Sequence, residues 1–177
     1  MAKAKVAYSR ALELAPQATG IAARLGAIAT TDGDLQSAYQ YYAMVLRAEP
    51  NDAVAHFNLG VVLQDLGRVD EAEASYQRAL ELRPNFAEAF RNLGMLLTNK
   101  GRFEQAEASY TKAIAAKPDF SEALLNRAML SFSKKDFQAA LNDADLCDTA
   151  ESRALGLEAL YALGRTEEVY QRIKKQS

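Results

Sequence analysis

The most restrictive feature of this sequence is a spacing of 34 residues that recurs along most of the chain. All four prolines fall on this spacing, together with many of the glycines, tyrosines and alanines. The residues form five columns: Pro16, Pro50, Pro84 and Pro118; Gly26, Gly60 and Gly94; Gly33, Gly67 and Gly101; Tyr8, Tyr42, Tyr76 and Tyr110; Ala4, Ala38, Ala72, Ala106 and Ala140. Five columns with one spacing indicate tandem copies of a single structural unit.

Each period predicts two α-helices. Residues 53–66 and 69–82 carry apolar side chains at steps of three and four, which is the helical pattern. Gly67 stands where a left-handed residue ends a helix, and Pro84 follows the second segment, where a helix cannot continue. Strands are excluded because alternation is absent and alanine is abundant. We expect an all-α chain with helix breaks near residues 33, 67, 101 and 164.

The small residues of the repeat predict where its two helices touch. Gly60 and Ala72 are small enough for a close approach, and Tyr76 is large enough to fill the space beside them. A helix pair of this length cannot bury its apolar face alone, so the pairs must stack on one another.

This pattern resembles the tetratricopeptide repeat (TPR), which runs aromatic-x2-Leu-Gly-x2-Tyr, then Ala-x3-aromatic, then Pro. The resemblance implies a right-handed superhelix, an α-solenoid of antiparallel helix pairs with about eleven helices. The matching residues are Ala22, Leu25, Gly26, Ala29, Ala38, Tyr42 and Pro50 in one repeat; His56, Leu59, Gly60, Leu63, Ala72, Tyr76 and Pro84 in the next; and Phe90, Leu93, Gly94, Leu97, Ala106, Tyr110 and Pro118 in the third.

The fourth repeat departs from the pattern. Arg127 and Ala128 replace the Leu-Gly pair, Lys135 replaces the loop glycine, and Ala144 replaces the tyrosine. The next loop glycine, Gly164, follows after 29 residues instead of 34, so about five residues are missing. We expect the second helix of this repeat to be short.

These boundaries divide the chain into six segments. They are an unpaired second helix at 1–18, repeats at 19–52, 53–86 and 87–120, a shortened repeat at 121–149, and a degenerate helix pair at 150–177. Because residues 1–15 match only a second helix, we expect a fragment of a longer protein. The unpaired helix leaves an apolar edge that we expect a neighbouring molecule to cover, such as a second copy of the chain in a homo-oligomer. The edge consists of Val6, Tyr8, Leu12 and Leu14.

Composition narrows the class of protein. The net charge of −2 lacks the concentrated basic face that nucleic-acid binding needs. No apolar run approaches the roughly 18 residues of a membrane span, and the first residues lack a secretory signal. We therefore expect a cytoplasmic protein that binds neither nucleic acid nor membrane.

Catalytic and cofactor chemistry is not predicted. His56 is the only histidine and occupies the large-residue column with Phe90, where a packed side chain is expected. Cys147 is the only cysteine and falls in a small-residue column, where a buried thiol is expected. One histidine and one cysteine make no Cys/His metal set, and the glycines form no phosphate loop. We expect no enzyme activity, no cofactor and no metal.

Asparagine recurs just before each Leu-Gly position, at Asn58, Asn92 and Asn126. The TPR resemblance implies that first helices line a concave, peptide-binding surface. An asparagine amide both donates and accepts, so such a row can bind a peptide backbone. The row resembles the asparagine ladder in the repeat domain of protein O-linked N-acetylglucosamine transferases. The alternative is that asparagine is common at this place for packing reasons.

Further candidates flank these asparagines on the same predicted face. Some of them must also pack between helices, which is the alternative interpretation for each. They are Phe57, Arg91 and Leu125 beside the asparagines, Val61, Met95 and Met129 one turn further along, and Phe132.

The leading hypothesis is a non-catalytic scaffold that binds a protein or an extended peptide on this face. One alternative is the substrate-recruiting arm of a larger bacterial glycosyl-, sulfo- or methyltransferase or oxygenase. Another is a structural protein that self-assembles through its uncapped ends.

Overall fold

In a computed structural model, residues 2–15 and 17–176 are described, and this part of the chain contains eleven α-helices and no strand. Pro16, the first member of the proline column, lies outside the described residues. The helices are α1 (Ala2–Leu14), α2 (Thr19–Thr31), α3 (Leu35–Ala48), α4 (Ala53–Asp65), α5 (Val69–Leu82), α6 (Ala87–Asn99), α7 (Phe103–Ala116), α8 (Ser121–Ser133), α9 (Phe137–Leu146), α10 (Ala150–Ala162) and α11 (Thr166–Gln176). We call the even-numbered helices first helices and the odd-numbered ones second helices.

The predicted helix breaks are confirmed. The α4 and α5 helices end within one residue of the predicted 53–66 and 69–82, and Gly67 lies between them with φ of +74°. Only glycine adopts this left-handed conformation without steric cost. Equivalent breaks with φ between +72° and +76° occur at Gly33, Gly101 and Gly164.

The chain forms two compact units, residues 1–92 and 93–177. In the first unit, α2, α3 and α4 bury small and large apolar side chains together in two clusters. Both clusters join the helix pair α2–α3 to α4. The two clusters are Ala29, Ala38, Tyr42 and Val62, and Ala22, Val45 and Ala55.

The second unit has an equivalent core around α9 and α10. Its central residues are Ala140, Leu141, Ala159 and Leu160, with Phe132, Phe137 and Val169 packed around them. None of the helices in the described part of the chain is both long and apolar enough to cross a membrane.

A glycine and a tyrosine ring form the contact between the helices of each regular repeat. A Cβ atom added to Gly60 would lie 2.7 Å from the ring of Tyr76, which is fully buried. Gly26 faces Tyr42 in the same way, at 2.8 Å. Ala72 is also fully buried, so the contact predicted from the small-residue columns is confirmed.

The fourth repeat replaces this contact with a smaller pair. Ala128 stands at the glycine position and Ala144 at the tyrosine position, and both are buried. Without a ring at 144, a Cβ at 128 meets no such obstacle. The helix that carries Ala144, α9, has 10 residues, whereas α7 has 14. The shortened second helix is therefore present where the sequence predicts it.

The first helix of the chain has both packed and exposed apolar residues. Leu12 of α1 packs against the cluster that contains Val45. Val6 and Leu14 are 70% and 76% exposed. That a neighbouring molecule covers these two side chains stays a prediction.

We predict opposite effects for alanine at two helical glycines. Gly60→Ala forces a methyl group into the buried Tyr76 ring, and such overpacking costs about 1–3 kcal/mol. Gly156→Ala is the matched control, because its nearest neighbours lie at 3.6 Å or more, and alanine there gains about 0.5–1 kcal/mol of helix propensity. Urea unfolding should show Gly60→Ala less stable and Gly156→Ala slightly more stable than the parent. Equal stability of the two variants would contradict the packing assigned to Tyr76.

A second prediction concerns Lys135, which has φ of +63° at the position of the loop glycines. The left-handed conformation costs a residue with a Cβ about 1–2 kcal/mol, part of which glycine returns through its greater freedom in the unfolded chain. Lys135→Gly should raise the free energy of unfolding by about 0.5–1 kcal/mol. Lys135→Ala removes the same charge but keeps the Cβ, so it should give no gain. Equal gains from both variants would assign the effect to charge instead of backbone conformation.

Candidate functional site

The three predicted asparagines occupy equivalent places on first helices. Asn58 lies on α4, Asn92 on α6 and Asn126 on α8, each two residues before the glycine or alanine of the helix contact. All three side chains are half-buried. Asn58 and Asn92 belong to the first unit and Asn126 to the second. Their role in binding stays a prediction, and their environments differ.

The amide of Asn92 is engaged within the protein. Burial raises the pKa of Tyr76 to about 12, and a hydrogen bond from Asn92 to its hydroxyl opposes part of this rise. That hydroxyl also donates to Oε1 of Gln64 at 3.2 Å. Oδ1 of Asn92 accepts from Nη1 of Arg91 at 3.1 Å. Asn92 therefore helps to hold a buried tyrosine in place.

The amide nitrogen of Asn126 differs from that of Asn92. Its Nδ2 atom is buried and has no hydrogen-bond partner among the residues that the structure describes. A buried donor without an acceptor costs about 1–3 kcal/mol. Asn126 thus carries hydrogen-bonding capacity that the folded chain leaves unused.

Asn126 lies in the wall of a cleft of about 280 Å³ in the second unit. The cleft is formed by α6 and α8, with one residue from α7. Its lining is Met95, Thr98, Asn99, Tyr110, Asn126, Met129, Leu130 and Ser133, and none of these side chains is charged. The Tyr110 and Thr98 hydroxyl oxygens are 3.2 Å apart and form a hydrogen bond across one side of it.

The structure brings three of the predicted site residues together in this cleft: Met95, Asn126 and Met129. Met129 is 56% exposed, so part of its apolar side chain is in contact with water at the cleft. Leu125 and Val61 are half-buried outside it. The other five residues of the cleft were not predicted as site residues from the sequence. Four of these five residues could have been found by extending the helical steps of three and four from Met95 and Asn126, namely Thr98, Asn99, Leu130 and Ser133, whereas Tyr110 comes from α7.

Two predicted aromatic residues pack against neighbouring rings. The ring centroid of Phe57 lies 4.9 Å from that of Phe86 and 6.0 Å from that of Tyr76. Phe132 meets Phe137 edge-on at 5.1 Å. Both phenylalanines are half-buried, and these ring contacts agree with the alternative interpretation that they pack between helices. A binding role for either residue stays a prediction.

The histidine and the cysteine both have local structural partners. Nε2 of His56 lies 3.0 Å from the carbonyl oxygen of Pro50, within hydrogen-bond distance. The Cys147 thiol is buried and donates to the carbonyl oxygen of Ser121 at 3.4 Å. Burial raises the pKa of the Cys147 thiol, which disfavours the reactive thiolate. Within the described ranges, no group of three or more His, Cys, Asp or Glu side chains is arranged to hold a metal ion.

An ion pair holds α8, one of the two helices that form the cleft, against α9. Nε and Nη2 of Arg127 each donate to a carboxylate oxygen of Asp143 at 2.7 Å, and Nη1 donates to Thr111 at 2.9 Å. Only 8% of the Asp143 side chain is exposed. The pair occupies the positions that hold Leu93 and Ser109 in the preceding repeat. Two parallel hydrogen bonds between a guanidinium and a carboxylate fix the geometry of both groups. Arg127, which makes them, is the residue that follows Asn126.

Comparison with known proteins agrees with this architecture. The family model described as tetratricopeptide repeat matches residues 41–85, 57–119 and 91–146. The chain therefore belongs to the tetratricopeptide-repeat family, and its fold is an all-α solenoid of helix pairs. A search of curated proteins found no match.

Several solved structures of other proteins have the same fold. PilF from Pseudomonas aeruginosa is 22% identical, with a TM-score of 0.83 over 95% of this chain and 79% of that one. PilW, described as a widely conserved type IV pilus biogenesis factor, is 22% identical, with a TM-score of 0.80 over 96% and 81%. YrrB, described as a TPR protein with an unusual peptide-binding site, is 24% identical, with a TM-score of 0.66 over 92% and 81%. At these identities the likeness establishes the fold alone.

We predict that breaking the Arg127–Asp143 pair is costlier than replacing it. Asp143→Ala leaves a largely buried guanidinium without its partner and should lower the free energy of unfolding by about 3 kcal/mol. The double variant Arg127→Leu with Asp143→Ser installs the residues of the preceding repeat and should recover most of that loss. Chemical unfolding of both variants measures the difference. A double variant no more stable than Asp143→Ala would mean that the fourth repeat requires the charges themselves.

Proposed function

We propose that this protein is a non-catalytic scaffold that binds an extended peptide segment of a partner protein on its first helices. The observation that carries the proposal is the open cleft between α6 and α8, where Asn126 has an unused hydrogen-bond donor. Concave, mostly apolar sites with a few placed polar groups are the usual form of ligand sites.

An extended peptide suits such a surface for a physical reason. Its backbone offers a donor and an acceptor at every residue except proline, and an asparagine amide can pair with either. Each such hydrogen bond contributes about 0.5–1.5 kcal/mol net, so amides alone give weak binding. Apolar contacts, at about 25 cal/mol per Å² buried, must supply the remainder. Met95 and Met129 provide apolar surface beside Asn126.

The comparisons support a binding role in general terms. YrrB is described as having an unusual peptide-binding site, and PilW as a type IV pilus biogenesis factor. Family membership also favours a scaffold over an enzyme.

A display experiment tests the proposal. An extended residue spans about 3.3–3.6 Å, so random peptides of about ten residues are long enough to extend beyond the cleft at both ends. Selection of such a phage-displayed library on the purified protein should enrich specific peptides. Asn126→Ala should weaken their binding about three- to tenfold without lowering the melting temperature, because its Nδ2 donates to no group in the described part of the chain.

Two control variants accompany this test. Asn142→Ala removes an exposed asparagine of α9 whose Oδ1 accepts a hydrogen bond from Nε2 of Gln138, and it should leave peptide binding unchanged. Asn92→Ala should lower the melting temperature, because it removes the hydrogen bond to Tyr76. Failure to enrich any peptide, or unchanged affinity of Asn126→Ala, would count against binding at this face.

A further inference from the structure

The lining of the cleft between α6 and α8 is selective in its chemistry. Met95, Met129 and Leu130 give it apolar walls, and the remaining polar groups are neutral hydroxyls and amides. Transferring a charged group from water into such a site is costly unless an opposite charge pairs with it. No lining residue can supply that charge, so the cleft disfavours acidic and basic side chains alike.

We propose that this cleft is a specificity pocket that accepts one uncharged apolar side chain of the bound peptide, of the size of leucine, methionine or phenylalanine. The inference rests on the proposed function and adds to it the class of residue that the site selects. The two methionines suit such a pocket because an unbranched thioether side chain repacks around occupants of different shape. The 56% exposure of Met129 means that an occupant would cover apolar surface now in contact with water.

Asn126 fixes how that residue is held. Its Nδ2 is buried in the cleft wall without a partner within residues 2–15 and 17–176. The terminal torsion of asparagine is broad, so a turn about it brings Nδ2 toward the cleft. There it donates to the backbone carbonyl oxygen of the peptide residue whose side chain fills the pocket. The methionines thus select the peptide side chain, and the amide fixes the position of the peptide backbone.

The asparagine one repeat earlier does not offer the same combination. Asn92 already bonds the hydroxyl of Tyr76, and its carbonyl oxygen accepts from Arg91. At the residue before Asn126, Leu125 stands where Arg91 stands before Asn92. The selective pocket is therefore assigned to Asn126 alone and not to every asparagine in the column.

The experiment begins with the peptides enriched from the random library on wild-type protein. Aligned, they should share one position restricted to leucine, isoleucine, methionine or phenylalanine. One enriched peptide is then synthesised with that residue unchanged, replaced by aspartate, and replaced by lysine. Calorimetric titration should show both charged peptides binding about tenfold or more weakly, which corresponds to about 1.4 kcal/mol or more.

A charge exchange identifies the contact. Met129→Glu should weaken the parent peptide about tenfold and should bind the lysine peptide more tightly than the aspartate peptide. Met44→Glu is the matched control, because Met44 is an exposed methionine on a second helix of the other unit, and it should bind all three peptides as wild type does. Met129 is already more than half exposed, so thermal melting should show that its variant stays folded.

The outcomes separate the two proposals. Enriched peptides that lack a restricted apolar position, or that bind Met129→Glu as tightly as wild type, would overturn the pocket while leaving peptide binding intact. The same holds if Met129→Glu shows no preference between the lysine and aspartate peptides. If no peptide is enriched at all, the proposed function fails first and the pocket with it.

Discussion

The structure depends on one contact, the approach of a first-helix glycine to a second-helix tyrosine ring. At Gly60 there is no room for a methyl group, and the buried ring of Tyr76 fills the space that a side chain would take. Close packing makes such a contact sensitive to a single added carbon. Because the contact recurs at Gly26, Gly60 and Gly94, each of the helices α2, α4 and α6 packs against its second helix in the same way. The surface residues of those helices can then vary while the framework is retained.

The fourth repeat shows that the constraint applies to the combined volume of the two facing side chains. Alanine replaces both glycine and tyrosine there, at 128 and 144, so a methyl group gained on one helix accompanies a ring lost on the other. The adjacent pair changes together as well, since Arg127 and Asp143 bond each other where leucine and serine stand one repeat earlier. Changes that would each be unfavourable alone are compatible when made in pairs.

Helix positions could be predicted from this sequence because local signals set them. Apolar steps of three and four define the helices, and glycine at a left-handed position ends them, so the bounds of α4 and α5 follow to within a residue. The state of the asparagines could not be predicted in the same way. The spacing places Asn92 and Asn126 at equivalent positions of the repeat. Their hydrogen bonds, however, depend on neighbours that folding brings close, such as Tyr76 from the preceding helix for Asn92. The pairing of Arg127 with Asp143 was missed for the same reason.

A repeat fold acquires a particular binding site where its residues stop repeating. On the first helices, position 61 holds valine, whereas positions 95 and 129 hold methionine. Position 91 holds an arginine that bonds Asn92, whereas position 125 holds leucine. These substitutions lie outside the columns that maintain packing, so they alter chemistry without altering the framework. Their combined effect in the second unit is a neutral cleft with an unsatisfied amide, which requires an acceptor that the folded chain does not provide. An extended peptide carries such acceptors at every residue, and this is the physical basis for assigning the binding role to that cleft.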